Sequence, residues 1–366
     1  MGKAVLLCLQ PGAPFELSPP RYQLVNELYE RKHEIYVFFP GRMADRELRD
    51  KITHWSNTTG MTNPEIRKKI REIRPSFVIA FTYDDAIVAC RLSQTMRGVK
   101  FYYFNIEIYT AEYEYIVNGK GGNGKFNVAG KYAMNKMREI IFAKNCELLV
   151  VQDSLRKKVL ANYHIKHHRT MLIPNSHVFQ REKIYEGVVE GICYSGSFDN
   201  VWTEPLIDGF EEVKAPITFA GWGNLPFLQK AKKMSNIHVI FQKLPSSELD
   251  SFLCQYAVGL ISYSESKDDN VKYTGLASGK LFKHLSLGQP VISIYSPGMS
   301  EEIEKYGLGI VIRKATEIDA AYEKIMDNYE YYRNNVIEIY QKRYDYKKNI
   351  QKFIKYMEKH TKATGA

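Results

Sequence analysis

The sequence predicts an α/β protein of two doubly wound parallel-sheet domains with a helical segment at the C-terminus. Three observations carry this. Along both halves, apolar runs of strand length alternate with longer amphipathic stretches. The 366 residues, 45% of them hydrophobic, suit two cores of ordinary size better than one. A polar stretch after Pro174-Asn175-Ser176 divides two repeats of the same alternation.

Taken in order, the strands of the first half are expected at residues 4–9, 34–39, 77–81, 100–104, 148–152 and 170–173, with helices over 21–31, 64–73 and 131–143. The opening run is broken at once by Gln10-Pro11-Gly12, and no stretch of about 18 apolar residues occurs. It therefore reads as a first strand, not as a signal peptide or a membrane span. The second half opens with a strand at 191–194 and continues with strands near 217–220, 238–241, 259–262, 291–294 and 309–312. Ser247-Glu248-Leu249-Asp250 has capping-box spacing and should start a helix. Beyond Asp319 the chain is helical and rich in Tyr and Lys without a heptad seam, which predicts a packed terminal helix rather than a coiled coil. These readings give an N-terminal domain over 1–179, a second domain over 188–330 and a helical segment over 331–366.

The charge is unevenly placed. Residues 1–179 hold 27 Lys and Arg against 17 Asp and Glu, whereas residues 180–366 hold 24 of each. The whole net charge of +10 thus falls on the first half, which favours an anionic partner. Arg67-Lys68-Lys69, Arg71, Arg74, Arg156-Lys157-Lys158 and the basic surface around His164, His167 and His168 are candidates for a face that docks on anionic lipid. Nucleic acid is not favoured, because the 26 tyrosines include no aromatic-glycine signature of an RNA-binding sheet. The five cysteines sit far apart in apolar segments, which predicts reduced buried thiols in a cytoplasmic protein and no zinc site.

In a doubly wound domain, ligands bind outside the carboxyl ends of the strands, where helix N-termini offer N–H groups to phosphate. The first such loop, Gln10-Pro11-Gly12-Ala13-Pro14, holds a glycine that lets backbone approach a ligand. The second domain has two more, Tyr194-Ser195-Gly196-Ser197-Phe198 and Ala220-Gly221-Trp222-Gly223. The most specific stretch runs from Ala277-Ser278-Gly279-Lys280-Leu281-Phe282-Lys283-His284 through Gly288-Gln289-Pro290 into an apolar strand. Lys280 falls in the first turn of a helix, where a cation opposes the dipole, so a bound diphosphate is the reason to expect it there. Gly119-Lys120-Gly121-Gly122-Asn123-Gly124-Lys125-Phe126 has P-loop spacing, yet Phe126 stands where magnesium needs Ser or Thr, and a loop on the acceptor side is the better reading.

These stretches together resemble the GT-B glycosyltransferases, and within them the family-four-like enzymes. The segment around Lys280 is similar to their donor-site helix. Arg31-Lys32-His33-Glu34 looks like their turn into the second strand, Tyr103-Phe104-Asn105-Ile106-Glu107-Ile108-Tyr109 like their sugar-contacting segment, and Ile173-Pro174-Asn175-Ser176 like their linker. Phe241-Gln242-Lys243-Leu244-Pro245 resembles their base-binding loop. The resemblance implies two facing Rossmann-like domains with a cleft between them. It also implies transfer of a sugar from a nucleotide diphosphate sugar, UDP-linked, to a glycan or lipid-linked acceptor, with retention and without a metal or other cofactor. Cell-surface polysaccharide or glycoconjugate synthesis at the inner face of the membrane is the setting it suggests. Lys243 and Leu244 would then meet the base; Gly196, Ser197, Lys280 and Leu281 would surround the diphosphate; Gly12 and Glu107 would line the reaction centre.

Three positions depart from that pattern. Lys283 stands where relatives carry the Glu that holds the ribose, Ser197-Phe198-Asp199-Asn200 replaces an Arg and a Lys, and Ile106 replaces a His. Ribose recognition must differ, since an ammonium cannot accept hydrogen bonds. A sugar-nucleotide epimerase of the same fold, or a non-catalytic nucleotide- or glycan-binding protein, are the alternatives.

Overall fold

Apolar runs too short for helices and too buried for hairpins are satisfied by parallel pairing, and the chain builds two such sheets. The computed structural model describes residues 2–9, 19–41, 45–108, 125–184, 187, 189–198, 206, 209–223, 229, 231, 233–242, 244, 246–263 and 269–362. Two compact units are present: Met1–Pro174 with Tyr346–Ala366, and Asn175–Asp345. Residues 331–345 thus fall in the second unit and 346–366 in the first.

Among the described residues the first unit holds seven strands, β1 (Lys3–Leu7), β2 (Glu34–Phe39), β3 (His54–Asn57), β4 (Phe77–Ala80), β5 (Lys100–Phe104), β6 (Leu148–Val151) and β7 (Thr170–Leu172). They lie in the order β3-β2-β1-β4-β5-β6-β7, all parallel. Leu7 faces Phe38 on one side and Ala80 on the other. Strand β3 is the one the sequence did not announce. It is an edge strand with only Ser56 buried, so His54-Trp55-Ser56-Asn57 needs no apolar run to pair with β2.

The helices of this unit are α1 (Pro19–Glu30), α2 (Arg46–Asp50), α3 (Asn63–Ile73), α4 (Tyr83–Thr95), α5 (Lys125–Asn145) and α6 (Ser154–Asn162). The capping box of Thr62 with Glu65 starts α3, and that of Thr82 with Asp85 starts α4.

In the second unit, β8 (Ile192–Ser197), β9 (Ile217–Trp222), β10 (Ile237–Phe241), β11 (Val258–Ile261), β12 (Val291–Ile294) and β13 (Gly309–Ile312) pair in the order β10-β9-β8-β11-β12-β13. Its helices are α7 (Ser246–Leu253), α8 (Asp269–Lys272), α9 (Gly279–Ser286), α10 (Met299–Tyr306), α11 (Ile318–Asp327) and α12 (Tyr329–Ile339). One π-helical turn, Tyr340–Tyr344, follows. The Tyr340 hydroxyl donates to the carbonyl of His177 and accepts its N–H, which fixes the start of the unit onto its end.

The last helix, α13 (Tyr346–Lys362), packs against α1 within the first unit. Tyr346, Ile350, Phe353, Ile354 and Met357 form its apolar stripe, and all five are fully buried. Phe353 meets the rings of Tyr102 and Phe104 edge-on at 5.3 and 4.9 Å. Each such side chain contributes about 1.5–3 kcal/mol of burial, well above the exposed ion pair of Arg31 with Glu358. The helix carries six lysines and one glutamate into this unit. Residues 1–174 with 346–366 therefore hold 33 Lys and Arg against 18 Asp and Glu, and residues 175–345 hold 18 against 23.

Four of the cysteines, Cys8, Cys90, Cys146 and Cys193, are buried free thiols, and Cys254 is half-buried. Among the described residues, no helix is long and apolar enough to cross a membrane.

Candidate functional site

In both sheets the strand order reverses beside the first strand of the unit, between β1 and β4 and between β8 and β11. Chains diverge there to opposite faces and leave a crevice at the carboxyl ends of the strands. The second unit places Gly196 and Ser197 at the end of β8, Tyr263 just after β11, and the first turn of α9 nearby. Ser278 caps α9 by accepting the Leu281 N–H at 3.1 Å, and its hydroxyl lies 2.5 Å from that of Tyr263. Burial pushes the Tyr263 phenol up to about 12, against the lowering effect of its hydrogen bond with Ser278.

Lys280 is brought into this corner. Its stem lies on the backbone of Gly196: a Cβ there would fall 2.8 Å from Lys280 Cε, and φ of +137° is itself a glycine conformation. Its Nζ donates to the Tyr194 hydroxyl at 2.5 Å and sits 4.5 and 5.7 Å from the ring centroids of Tyr194 and Tyr263. The Tyr194 hydroxyl in turn donates to the carbonyl of Ser197 at 2.7 Å. One hydrogen-bonded chain thus joins Lys280, Tyr194 and Ser197, with Gly196 beneath the lysine. Two aromatic faces hold an ammonium at a helix N-terminus that would otherwise repel it.

Of the other expected donor residues, Leu281 shares the first turn, but its side chain is buried in the core and its N–H is taken by Ser278. Leu244 is half-buried just before α7. Gly12 and Lys243 lie outside the described residues, as does the glycine-rich stretch 119–124. Two loops that the sequence marked for ligands present exposed aromatic rings at the carboxyl ends of neighbouring strands, Trp222 on β9 and Phe241 on β10, although no role for either ring was read from the sequence.

Lys283, which the resemblance sets in the place of a ribose-binding Glu, is occupied within its own unit. Its Nζ lies 2.6 Å from Asp250 Oδ1 on α7, and Lys183 lies 2.7 Å from Oδ2. Although burial raises it, the paired lysines hold the Asp250 carboxyl below its usual range. Burial and the nearby Lys283 likewise push the His177 imidazole down. The buried His284 ring packs on the backbone of Gly259, where a Cβ would come within 2.4 Å, and its Nδ1 meets Gln289 Oε1 at 2.9 Å. Burial lowers it to about 4, so it stays neutral.

The first unit presents Glu107 from a braced segment. The Gln152 amide donates to the carbonyl of Asn105 at 3.0 Å, and Arg156 to that of Ile106 at 3.2 Å. Arg156 is almost wholly buried, so of the run expected on a basic surface only Lys157 and Lys158 are exposed. The Asn105 amide donates to Glu139 Oε1 at 2.8 Å, where Tyr103 also points. Glu139 is fully buried and burial raises it to about 8, against the lowering effect of those two bonds. At the end of β1, Asp85 accepts the Leu9 N–H, which anchors the backbone just before the Gly12 loop. None of Arg156, Glu139 and Asp85 is legible as a positioning residue from spacing, because each acts across elements distant in sequence.

No family model matches the chain, and no curated protein matches it. Solved structures do. HepE from Anabaena, solved with UDP-glucose, is 11% identical, with 98% of this chain and 100% of that one covered and a TM-score of 0.72. Sucrose-phosphate synthase from Thermosynechococcus elongatus is 13% identical over 100% of both chains, with a TM-score of 0.71. A candidate UDP-N-acetylglucosamine 2-epimerase from Listeria monocytogenes is 13% identical, covering 99% and 97%, with a TM-score of 0.60. The chain has the two-unit GT-B fold that the sequence predicted.

Proposed function

We propose that this chain is a glycosyltransferase that takes a sugar from a nucleotide diphosphate sugar, UDP-linked, and passes it with retention to a glycan or lipid-linked acceptor in cell-surface polysaccharide or glycoconjugate synthesis. The observation that carries the reading is Lys280, held at the switch point of the second sheet over Gly196 and beside the N-terminus of α9. As the donor bond breaks, negative charge grows on the departing diphosphate. A preorganised ammonium with helix N–H groups stabilises that charge without reorganising. That HepE was solved with UDP-glucose supports this choice of donor. Glu107 lines the reaction centre in this reading, and no metal is required. The work is cytoplasmic, and the basic first unit faces the inner surface of the membrane.

The test is incubation with a panel of radiolabelled nucleotide sugars and candidate acceptors. Transfer, or slow hydrolysis of a UDP-sugar, supports the proposal. Conversion of the sugar to its epimer supports the epimerase reading, and tight binding without turnover makes the protein a binder.

A further inference from the structure

On the first unit, a groove of about 300 Å³ opens between α3, α4 and α5, lined by Arg67, Arg91, Arg138, Gln94 and the apolar Ile87, Cys90, Ile141 and Phe142. Three arginines from three helices thus line the groove, Arg67 and Arg91 close enough to repel each other and Arg138 hydrogen-bonded to Tyr83, and none of the lining residues is acidic. Among the described residues, neither Arg67 nor Arg91 joins a salt bridge. Partial burial, and then the like charges of Arg71 and Arg91, hold Arg67 below its ordinary range. Beside the groove, Met134, Met137 and Ile141 are exposed at spacings of three and four along α5, on the stripe that also carries Arg138.

We propose that this groove binds the phosphate headgroup of an anionic phospholipid, with Met134, Met137 and Ile141 entering the boundary between headgroups and acyl chains. Guanidinium forks match phosphate oxygens in pairs, and an apolar floor beside them fits an ester that continues into lipid better than a free anion. The other lysine-rich element, α13, fits this role less well, because its apolar stripe is already buried. It also lies on the opposite face of the sheet: Tyr103 reaches Glu139 of α5, whereas its strand neighbours Tyr102 and Phe104 meet Phe353 of α13. This inference rests on the membrane side of the proposed function, not on transfer, and vesicle binding needs no donor sugar, so either can fail alone.

The experiment is flotation of the full chain with vesicles of phosphatidylcholine alone or mixed with phosphatidylglycerol, and separately with soluble inorganic pyrophosphate as competitor. Binding to the anionic vesicles is expected to fall roughly a hundredfold in the Arg67→Ala, Arg91→Ala, Arg138→Ala triple variant. Removing the same charge from α13, by Lys352→Ala, Lys355→Ala and Lys359→Ala, should cost less than about threefold. Met137→Ser should weaken binding with no change in net charge. Should the triple variant not fold, Arg91→Glu alone, at an exposed site outside any described ion pair, carries the same expectation. Equal losses from both triple variants would show a diffuse field and overturn the site. Pyrophosphate binding lost in the arginine variant without vesicle binding would overturn the lipid assignment, as would no binding to either.

Discussion

The carboxylate of Asp85 accepts the backbone N–H of Leu9 at 2.6 Å across 76 residues of sequence, while its second oxygen takes the N–H groups of Phe81 and Thr82 at 3.0 and 2.9 Å. One buried side chain therefore fixes the ends of both strands at the switch point of the first sheet. Asp85→Asn turns an amide N–H toward backbone donors and should destabilise the protein by about 2–3 kcal/mol, read by denaturant unfolding. A change under about 0.5 kcal/mol would show that the loop holds itself.

Lys280→Met keeps the stem over Gly196 and removes the charge. We expect UDP affinity to fall by roughly ten- to a hundredfold and uridine affinity by less than about threefold, measured by calorimetry. Equal losses would make Lys280 a structural cation for Tyr194 and Tyr263.

Two buried carboxyls should contribute stability that declines with rising pH. Burial raises Glu139 from 4.5 to about 8 and Asp85 from 3.8 to about 6. At these two groups the folded chain therefore holds protons that the unfolded chain has already lost, so their contribution to stability is fullest below about pH 4. It falls through the interval up to about pH 8 and levels beyond. Glu139→Gln keeps an oxygen for Asn105 and Tyr103 and should flatten the upper part of this slope in thermal melts. An unchanged slope would place the titration elsewhere.

Placing at position 283 the carboxylate that the resemblance implies should not be benign. Lys283→Glu sets two acids together and should cost about 1–3 kcal/mol, whereas Lys283→Glu with Asp250→Lys should recover most of it. A double variant no better than the single one would show that the pair does not set the cost.

The sequence alone determined the two parallel sheets, because strand-length apolar runs alternating with helices have few other ways to bury themselves. Of the thirteen strands among the described residues, eleven appear at their expected places within a residue or two at each end. Strand β8 begins as expected but runs on to Ser197, and only the edge strand β3, which buries one side chain, was silent. Sequence also marked Gly196, Ser197 and Lys280, since local pattern records helix starts and glycine turns.

Only the tertiary structure decided how those residues are held. The Tyr194 and Tyr263 rings around Lys280, the Asp250 partner of Lys283 and the bond from Arg156 to the Ile106 carbonyl beside Glu107 join elements far apart in the chain, which no periodicity encodes. The same holds for charge. The sequence put the positive excess in the first half, but the return of α13 to the first unit, driven by burial of Phe353 and its neighbours, deepened it there and left the second unit acidic.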